Sequence, residues 1–395
     1  MTGPLSHITV LDLSRIMAGP WAGQILADLG ADVIKVERPG VGDDTRTWGP
    51  PFLEDVQGNP TSNSGYFLSV NRGKRSVEID LASPEGRRVV REIVKTSDIV
   101  LENFKTGTLA RYGLSYEDLA AVKPDIIYCS ITGFGQDGPK SDHAAYDFMV
   151  QAMGGLMSVT GERDDLPGGG PQKVGVPIVD IMTGMYAAVG VLAALARRER
   201  TGEGDHLDLA MLDVQVGFLA NQAMNYLISG ATPTRKGNKH PNIQPQDVFP
   251  CRDGHLALAV GNDSQYQRLC EALERPDLAT DERFATNAGR VRNVDALSCE
   301  LTETFRQQDL AHWLAELEGR LVPCGPINTI PMALADEQVK HRQMVRLLSH
   351  PTVGDVPQVV SPLRFQDATL DFDRPPPLLG EHTAQVLKER GVDPV

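Results

Sequence analysis

Short apolar runs alternate with amphipathic stretches along the first 230 residues of the chain. Strands are predicted at 8–13, 33–37, 76–81, 99–104, 126–134 and 206–212. Helical patterns fall between or after them, at 21–30, from Ser83, at 115–122, at 181–199 and from about 213 to 229. Because strands and helices alternate, the pattern predicts an α/β fold with a parallel sheet covered by helices on both faces.

The pattern breaks at 230–245, where the sequence reads GATPTRKGNKHPNIQP. Its Gly, Pro and Asn residues indicate a linker or a loop that belongs to a site. A strand at 255–262 and a helical region at 264–319 then suggest a smaller second domain. The proline-rich tail 372–383 is followed by a helical pattern to the end of the chain.

Composition excludes several classes of function. The chain has 395 residues, 41% of them hydrophobic, which is enough for a large core and about two domains. Its net charge of −14, without a long Lys/Arg cluster, argues against a nucleic-acid partner. No signal peptide precedes the first strand, and no uninterrupted apolar run approaches the ~20 residues that cross a bilayer. Five scattered cysteines without a CxxC pair favour reduced thiols, so we expect a cytoplasmic protein.

The first strand, helix and second strand resemble a dinucleotide-binding unit that lacks its fingerprint. Gly19 and Gly23 do not form G-x-G-x-x-G, although Glu37 ends the second strand as an acidic residue would. Arg38 follows directly, and a guanidinium is better suited to a ribose phosphate than to ribose hydroxyls. Arg38 is therefore either a surface arginine or a contact for NADP or coenzyme A.

Other catalytic motifs are absent from the sequence. It contains no phosphate-binding G-x-x-x-x-G-K-[ST], no zinc-binding H-E-x-x-H and no hydrolase G-x-S-x-G. The histidines include no pair with metal-ligand spacing, so no metal site is predicted. His240 lies in the irregular loop, where it is a solvated residue unless the loop closes over a substrate.

Asp180 is the only residue with a formal charge in the apolar stretch VPIVDIMTGMYAAVGVLAALA. One interpretation makes it the N-cap of the following helix, since Asp is a preferred N-cap. The other makes it a reactive carboxylate at the positive end of the helix dipole, facing a cleft. Gly175 and Gly184 would then leave room for a ligand. Position alone does not decide between the two.

Several blocks along the chain then reveal a family resemblance. They occur in this order: LDLSRIMAGPWAGQILADLGADVIKVERPGVGDDTR, ENFKTGTLARYGLSYEDL, IIYCSITGFGQDGP, AYDFMVQAMGGLMSVTG and RPPPLLGEHT. From about Leu5 to Thr383 the chain resembles the class III coenzyme A (CoA) transferases, the formyl-CoA and carnitine-CoA transferase family. The blocks GDDTRTWGPPF, YFLSVNRGKRS and HPTVGDVP are most similar to the succinate–hydroxymethylglutarate (glutarate) CoA-transferase branch.

The resemblance implies a chemical role for Asp180. In these enzymes the matching aspartate attacks an acyl-CoA thioester, which gives an aspartyl–acyl anhydride and then an aspartyl-CoA thioester. A carboxylic acid next attacks this thioester and leaves as the new acyl-CoA. Covalent catalysis of this kind replaces one difficult exchange by easier steps. It implies CoA and acyl-CoA as co-substrates, with no permanently bound cofactor and no metal.

The resemblance also implies binding residues. The matching CoA contacts are Met17, Ala18, Arg38, Asn103, Phe104, Arg111, Tyr146 and Asp147. Arg38 and Arg111 would hold phosphates, Phe104 would lie near the adenine, and Tyr146 and Asp147 would flank the thioester. Two positions depart from formyl-CoA transferases, because Ala82 and Ala144 stand where those enzymes carry lysines.

The acceptor acid is predicted to meet the loop at 236–243. This stretch, KGNKHPNI, replaces the glycine-rich loop of formyl-CoA transferases. Gly237, Asn238, Lys239 and His240 are therefore the candidate substrate residues. Lys239 and His240 could pair with the far carboxylate of a dicarboxylic acid, so the expected donor is succinyl-CoA and the expected acceptor a diacid.

The family architecture sets the expected domains. A Rossmann-like large domain comprises 1–229 and is completed by the C-terminal return 331–395, and a smaller α+β domain comprises 230–330. Family members form interlocked homodimers, which implies a second copy of this chain as partner, with neither nucleic acid nor membrane.

Two alternatives keep this fold or its CoA site. An α-methylacyl-CoA racemase would use a His/Asp pair for proton transfer, but Tyr146 stands where the racemase motif has histidine. A catalytically idle CoA-binding or scaffold protein would tolerate the loss of Asp180, which this chain retains.

Overall fold

The computed structural model describes residues 3–370 and 372–392. Its larger sheet contains six strands, and every neighbouring pair is parallel. The strands are β1 (Thr9–Asp12), β2 (Asp32–Glu37), β5 (Lys74–Glu78), β6 (Ile99–Glu102), β7 (Ile127–Thr132) and β8 (Asp205–Ala210). Their order across the sheet is β5-β2-β1-β6-β7-β8. The predicted α/β fold with a parallel sheet is confirmed.

Helices cover both faces of this sheet. Helices α1 (Ala18–Asp28) and α8 (Ile178–Thr201) share one apolar core with the strands. Helices α3 (Pro84–Val94), α5 (Tyr116–Ala120) and α18 (Thr383–Glu389) contribute to the core on the other face. Nearly continuous apolar strands are what burial on both faces requires.

The remaining strands form small antiparallel sheets. One has three strands in the order Cys324–Pro326, His255–Ala259, Gln246–Pro250, and the other two are hairpins. These strands are β3 (Phe52–Glu54), β4 (Pro60–Ser64), β9 (Gln246–Pro250), β10 (His255–Ala259), β11 (Cys324–Pro326), β12 (Val345–His350) and β13 (Gly354–Val359). Only β10 was predicted, because the others are short and interrupted by proline or polar residues.

Short helices make up much of the rest. They are α2 (Gly65–Leu68), α4 (Thr108–Arg111), α6 (Asp147–Met153), α7 (Leu156–Val159), α9 (Met211–Gly217), α10 (Ala220–Ser229), α11 (Asp263–Ala272), α12 (Pro276–Thr280), α13 (Asn287–Arg292), α14 (Val294–Phe305), α15 (Leu310–Glu318), α16 (Ile330–Ala335) and α17 (Glu337–His341). The helix predicted to run unbroken to 229 is two helices. Ala220 has φ 47°, a left-handed conformation that interrupts the regular geometry.

Several predicted boundaries shift for physical reasons. Helix α3 begins as predicted, and the Ser83 hydroxyl accepts a hydrogen bond from the Gly86 amide at 2.9 Å. Helix α1 starts at Ala18 instead of residue 21, since proline is tolerated in a first turn. Strand β5 begins at Lys74 instead of residue 76 because its charged residues are paired, Lys74 with Asp12 at 2.8 Å.

The chain folds into two compact units. The large unit comprises 1–156, 174–224 and 337–395, and the small unit comprises 157–173 and 225–336. Segment 157–173 was assigned to the large domain from sequence, but it packs within the small unit. Arg163 pairs with Asp295 at 2.9 Å, and the Gly237 amide donates to the Gly161 carbonyl at 3.1 Å.

Helix α8 is long and apolar enough to cross a membrane by length and composition alone. Buried core helices share these properties, and one side of α8 packs against α1. A Cβ added at Gly184 would lie 2.6 Å from the Ala18 carbonyl oxygen. Gly184 therefore allows the two helices to approach closely, and the prediction that it leaves room for a ligand is wrong.

Candidate active site

Asp180 lies in the first turn of α8, and the N-cap of that helix is Pro177. The N-cap interpretation of Asp180 is therefore wrong. The terminal amides of α8 are satisfied by another carboxylate: Asp147 Oδ1 accepts from the Val179 amide at 2.7 Å and from the Asp180 amide at 3.4 Å. Asp147 is thus held against the start of the helix that carries Asp180.

Gln151 extends this arrangement to the segment before the helix. Its side-chain amide donates to Asp147 Oδ2 at 2.6 Å, and its Oε1 accepts from the Val174 amide at 2.9 Å. Gln151 is fully buried. The entry into α8 is consequently fixed by two neighbouring side chains of α6, which is how a rigid first turn for Asp180 is obtained.

The Asp180 carboxylate itself is partly buried and lacks a partner. Across residues 3–370 and 372–392, no side chain forms an ion pair with it and no group donates a hydrogen bond to it. Burial, with a smaller contribution from the Asp147 charge, raises the pKa of Asp180 to about 7. A carboxylate kept free of donors and cations retains its nucleophilicity when it ionises.

Tyr66, which lies near Asp180, and its neighbour Trp48 were not predicted as site residues. Burial and the charges of Asp180 and Asp147 raise the pKa of Tyr66 to about 12, so its phenol stays protonated. The Tyr66 ring meets the Trp48 ring edge-on, with centroids 5.1 Å apart. Trp48 lies in the block GDDTRTWGPPF and Tyr66 in YFLSVNRGKRS, and these blocks served only to identify the branch within the family.

A cleft of about 240 Å³ opens beside the carboxyl ends of β1 and β2. Two arginines line it, Arg15 and Arg38, together with the rings of Phe104 and Tyr112. This position follows the rule that ligands of open parallel sheets bind beyond the carboxyl ends of the strands. Ala82 lies on the same lining, where formyl-CoA transferases are expected to carry a lysine.

The loop that carries Arg15 is clamped by Asn103. The Asn103 side chain accepts from the Arg15 amide at 2.8 Å and donates to the Arg15 carbonyl at 2.6 Å. Ile16 has φ 73°, which is rare and strained for a β-branched residue. Met17 and Ala18 follow as the N-cap and first residue of α1, and both side chains are buried. Arg15 was not predicted, although its position just after β1 was a usable signal.

Glu37 does not serve as a ribose ligand in this structure. Its carboxylate accepts from the Arg46 guanidinium, in two bonds of 2.7 Å, and from the Ser76 hydroxyl at 2.6 Å. It also accepts from the Asp43 amide at 2.9 Å. With these bonds made, Glu37 supports the turn before Asp43, in agreement with the missing glycine fingerprint.

Arg38 and Phe104 line this cleft, whereas the other predicted CoA contacts are not part of its lining. Arg111 stands at the exposed end of α4, where it donates to the Thr108 hydroxyl at 3.2 Å. Tyr146 is the N-cap of α6 and is 57% exposed. The structure therefore brings together Arg38, Asn103 and Phe104 near one cleft, and Asp147 and Asp180 at one helix end.

The predicted acceptor loop belongs to the small unit and lines a cleft of about 520 Å³ there. Gly237 has φ 61°, a conformation that favours glycine, and Asn238 follows it in the turn. Lys239 pairs with Asp247 at 3.1 Å. His240 Nδ1 accepts from two backbone amides, each at 3.1 Å, which leaves Nε2 as the protonated nitrogen. The assignment of these residues to the acceptor stays a prediction.

Comparison with known proteins places this geometry in a family. Residues 5–383 match the family described as CoA-transferase family III. Succinate–glutarate CoA-transferase from Agrobacterium fabrum is 52% identical over 98% of this chain and 95% of its own length. Succinyl-CoA:glutarate CoA-transferase from Mus musculus is 42% identical over 98% of this chain and 86% of its own length.

A solved structure agrees with this fold. The crystal structure of a CAIB/BAIF family protein from Brucella suis is 50% identical and superposes with a TM-score of 0.87, covering 99% of this chain and 100% of that chain. The family match, the identities and the fold agree over nearly the whole length. The chain belongs to the CoA-transferase family III.

Proposed function

We propose that this enzyme transfers CoA from succinyl-CoA to a dicarboxylic acid such as glutarate. The two relatives named above act on succinate or succinyl-CoA and on glutarate by their names. The main support for this chemistry is the environment of the Asp180 carboxylate. This carboxylate is partly buried, unpaired among the described residues and fixed at the start of α8. The racemase alternative is not favoured, because these relatives are CoA-transferases.

Asp180 is the proposed nucleophile. Its carboxylate oxygen attacks the thioester carbonyl of succinyl-CoA, and the carbon–sulfur bond breaks to release CoA thiolate and leave an aspartyl–succinyl anhydride. The thiolate then attacks the Asp180 carbonyl, which expels succinate and leaves an aspartyl-CoA thioester. The acceptor carboxylate repeats the two steps in reverse order. No electrons are exchanged with an oxidant or reductant, so we propose no permanent cofactor or metal.

Asp147 and Gln151 have a positioning role in this scheme. Because Asp147 binds the amides of Val179 and Asp180, the first turn of α8 cannot rotate without breaking these bonds. The Asp147 charge also disfavours ionisation of Asp180. Val179, the fully buried apolar neighbour of Asp180, limits the access of water, which would otherwise hydrolyse the anhydride.

The proposed nucleotide site is the cleft beside Arg38 and Phe104. The two arginines on its lining, Arg15 and Arg38, suit the phosphates of CoA, and the aromatic rings suit adenine. The strand order, which reads third-second-first-fourth-fifth-sixth along the chain, supports a Rossmann-like description of the large domain. We retain large-domain bounds near 1–229 and 331–395 and a small domain near 230–330, apart from segment 157–173.

The assembly and location of the enzyme are further parts of the proposal. We expect an interlocked homodimer in the cytoplasm that binds neither nucleic acid nor membrane. Apolar side chains on α10 support a protein interface: Leu227 is 71% exposed and Ile228 is 80% exposed. Segment 200–230, which is long enough to thread through a partner, contains β8, α9 and α10.

An acceptor panel tests the proposed function directly. With succinyl-CoA as donor, glutarate should accept CoA faster than valerate, its monocarboxylate of equal length. Isotope-labelled succinate, scored by the label that enters succinyl-CoA, should accept it faster than butyrate. Equal rates for diacids and monoacids would contradict the dicarboxylate assignment. The same panel on a Lys239/His240 double-alanine variant tests the loop: a retained diacid preference would remove the loop assignment and leave the substrate class intact.

A further inference from the structure

Glu102 ends strand β6 directly before two predicted CoA contacts, Asn103 and Phe104. It is a buried carboxylate, 5% exposed, and forms no ion pair within the described parts of the chain. Its Oε2 accepts a hydrogen bond from the Phe104 amide at 2.8 Å. This bond closes a tight local turn between a residue and the second residue after it.

A second set of contacts holds Glu102 from the neighbouring strands. The Ser130 hydroxyl on β7 hydrogen-bonds Glu102, and Ser130 Oγ lies 3.0 Å from His206 Nε2 on β8. The His206 ring stacks on Tyr116 at 5.0 Å and meets Tyr128 edge-on at 5.4 Å. Ser130 therefore links Glu102 to His206 across two neighbouring strands.

The strand register explains why Glu102 and Ser130 are neighbours. Glu102 lies opposite Ser130, and Ser130 lies opposite Asp208, two residues beyond His206 on the same strand. Burial, opposed by hydrogen bonds from Ser130 and Phe104, raises the pKa of Glu102 to about 7, and the Asp208 charge adds to this rise. Burying the Glu102 carboxyl group costs free energy, which its hydrogen bonds from the turn and from the sheet offset. A specific role for Glu102 is therefore expected.

The two residues that follow Glu102 in the turn indicate its role. Asn103 points back to clamp the main chain of Arg15, and Phe104 lines the cleft with Arg15 and Arg38. The Arg15 guanidinium carbon lies 5.5 Å from the centroid of the Phe104 ring. Three consecutive residues therefore have three different roles, since one fixes the turn, the next fixes the opposite loop, and the third forms the wall.

We propose that Glu102 is a positioning residue for the nucleotide end of CoA, which it serves by locking the turn that aims Asn103 and Phe104. The inference rests on the proposed function, because it takes the cleft beside Arg38 as the CoA nucleotide site. Glu102 touches no substrate in this scheme. It acts through the placement of the Phe104 ring and of the Arg15 loop.

Replacement of Glu102 by leucine tests the proposal, since leucine fills a similar volume without accepting a hydrogen bond. CoA affinity, measured by calorimetry, should fall about tenfold, the range of one lost hydrogen bond. The KM for succinyl-CoA should rise by a similar factor with kcat nearly unchanged. Succinyl-pantetheine, which lacks the nucleotide, should be used equally well by both proteins.

Two further variants separate positioning from general stability. Glu102→Gln keeps an acceptor for the Phe104 amide and should restore CoA affinity to within about threefold of wild type. Asp98→Leu is the matched control at the opposite end of β6, where Asp98 accepts from the Thr9 amide at 2.8 Å. It should lower thermal stability and leave CoA affinity unchanged.

Equal losses with succinyl-CoA and succinyl-pantetheine would overturn the proposal, as would a CoA affinity of Glu102→Leu equal to that of wild type. Should that variant not fold, hydrogen exchange on the wild-type protein decides: the Phe104 amide must exchange slowly without ligand, and rapid exchange contradicts the locked turn. If wild type transfers no CoA to any acid, the proposed function fails, while calorimetry with CoA still measures the role of Glu102.

Discussion

Two carboxylates of the large unit, Asp180 and Asp12, are shielded from water but differ in whether a cation compensates their charge. Asp12 is fully buried; its Oδ2 accepts from Lys74 at 2.8 Å, and its Oδ1 accepts from the Ser14 amide at 3.0 Å. Burial alone would raise the pKa of Asp12, but the cations Lys74 and Lys35 hold it below its usual value. Asp180 has no such partner among the described residues, and burial raises its pKa to about 7.

The difference distinguishes a carboxylate that supports the fold from one that is suited to catalysis. The Asp12 network ties β1, β2 and β5 together below the Arg15 loop, with Lys35 bound to Asp43 at 2.9 Å and to the Ser14 carbonyl at 3.0 Å. Every charged group of this network has a partner of opposite charge, so none is available for a reaction. Asp180 is left unsaturated next to one like charge, which is the arrangement expected of a group that must form a covalent bond.

Loss of Asp180 should have the largest effect on activity. Asp180→Asn and Asp180→Ala should each lower CoA transfer by at least about a thousandfold, because removal of a covalent nucleophile abolishes the catalysed path. Since Asp180 is not the N-cap, neither variant should lose the stability of a lost cap. Transfer assays and thermal unfolding of both variants are the measurements; near-wild-type turnover in either variant would contradict the nucleophile assignment.

Loss of Asp12 should instead affect stability. Asp12→Ala leaves Lys74 buried without its partner, which should lower the free energy of unfolding by about 3–5 kcal/mol. The exposed pair Glu92–Lys95, at 2.7 Å, provides the control, and Glu92→Ala should change the free energy by less than about 1 kcal/mol. Equal losses in the two variants, measured by denaturant unfolding, would remove the distinction between them.

Arg38 tests the nucleotide end of the site. Arg38→Ala should weaken binding of CoA by roughly 1.5–3 kcal/mol and that of dephospho-CoA much less, if its guanidinium holds the ribose phosphate. Calorimetry with both ligands measures the difference. Arg91→Ala is a matched control, since Arg91 is exposed and donates to the Gly113 carbonyl away from the cleft. If Arg38→Ala weakens both ligands equally, Arg38 does not contact that phosphate.

The smallest expected effect is a shift in pH dependence. The carboxylate form of Asp180 attacks, so kcat/KM for succinyl-CoA should rise with pH through about 7. Asp147→Asn retains an acceptor for the helix amides but removes the negative neighbour, so this midpoint should fall by less than about one pH unit. Because burial is the larger cause, the midpoint should stay above that of an ordinary aspartate. An upward shift would contradict the electrostatic account.

The raised pKa of Asp180 also makes the stability of the fold depend on pH. The folded pKa of Asp180 lies above its unfolded value of 3.8, so the folded state binds more protons between these two values. Ionisation of Asp180 therefore lowers stability as pH rises from about 4 to 7. Asp180→Asn should remove this decline, which unfolding midpoints across the pH range would reveal.

The parallel sheet was predictable because its strands are apolar on both faces and helices alternate with them. The start of β5 was not, since the sequence alone does not show that Lys74 and Arg75 are buried and paired with Asp12 and Asp32. Asp180 was found as a single carboxylate in an apolar helix. Arg15, Tyr66 and Trp48 were missed, because their contacts join segments distant in sequence. Glu102 was missed because the apolar strand pattern does not show the local turn that its carboxylate closes.

Isotope transfer to Asp180 tests the central claim most directly. During turnover with succinyl-CoA and glutarate labelled with oxygen-18 in its carboxylates, the acceptor's bridging oxygen remains on Asp180 when the second anhydride breaks. Mass spectrometry of the peptide that contains Asp180 should therefore show label at that residue, and no label should appear without succinyl-CoA. Continued turnover with an unlabelled Asp180 would contradict its role as the covalent nucleophile.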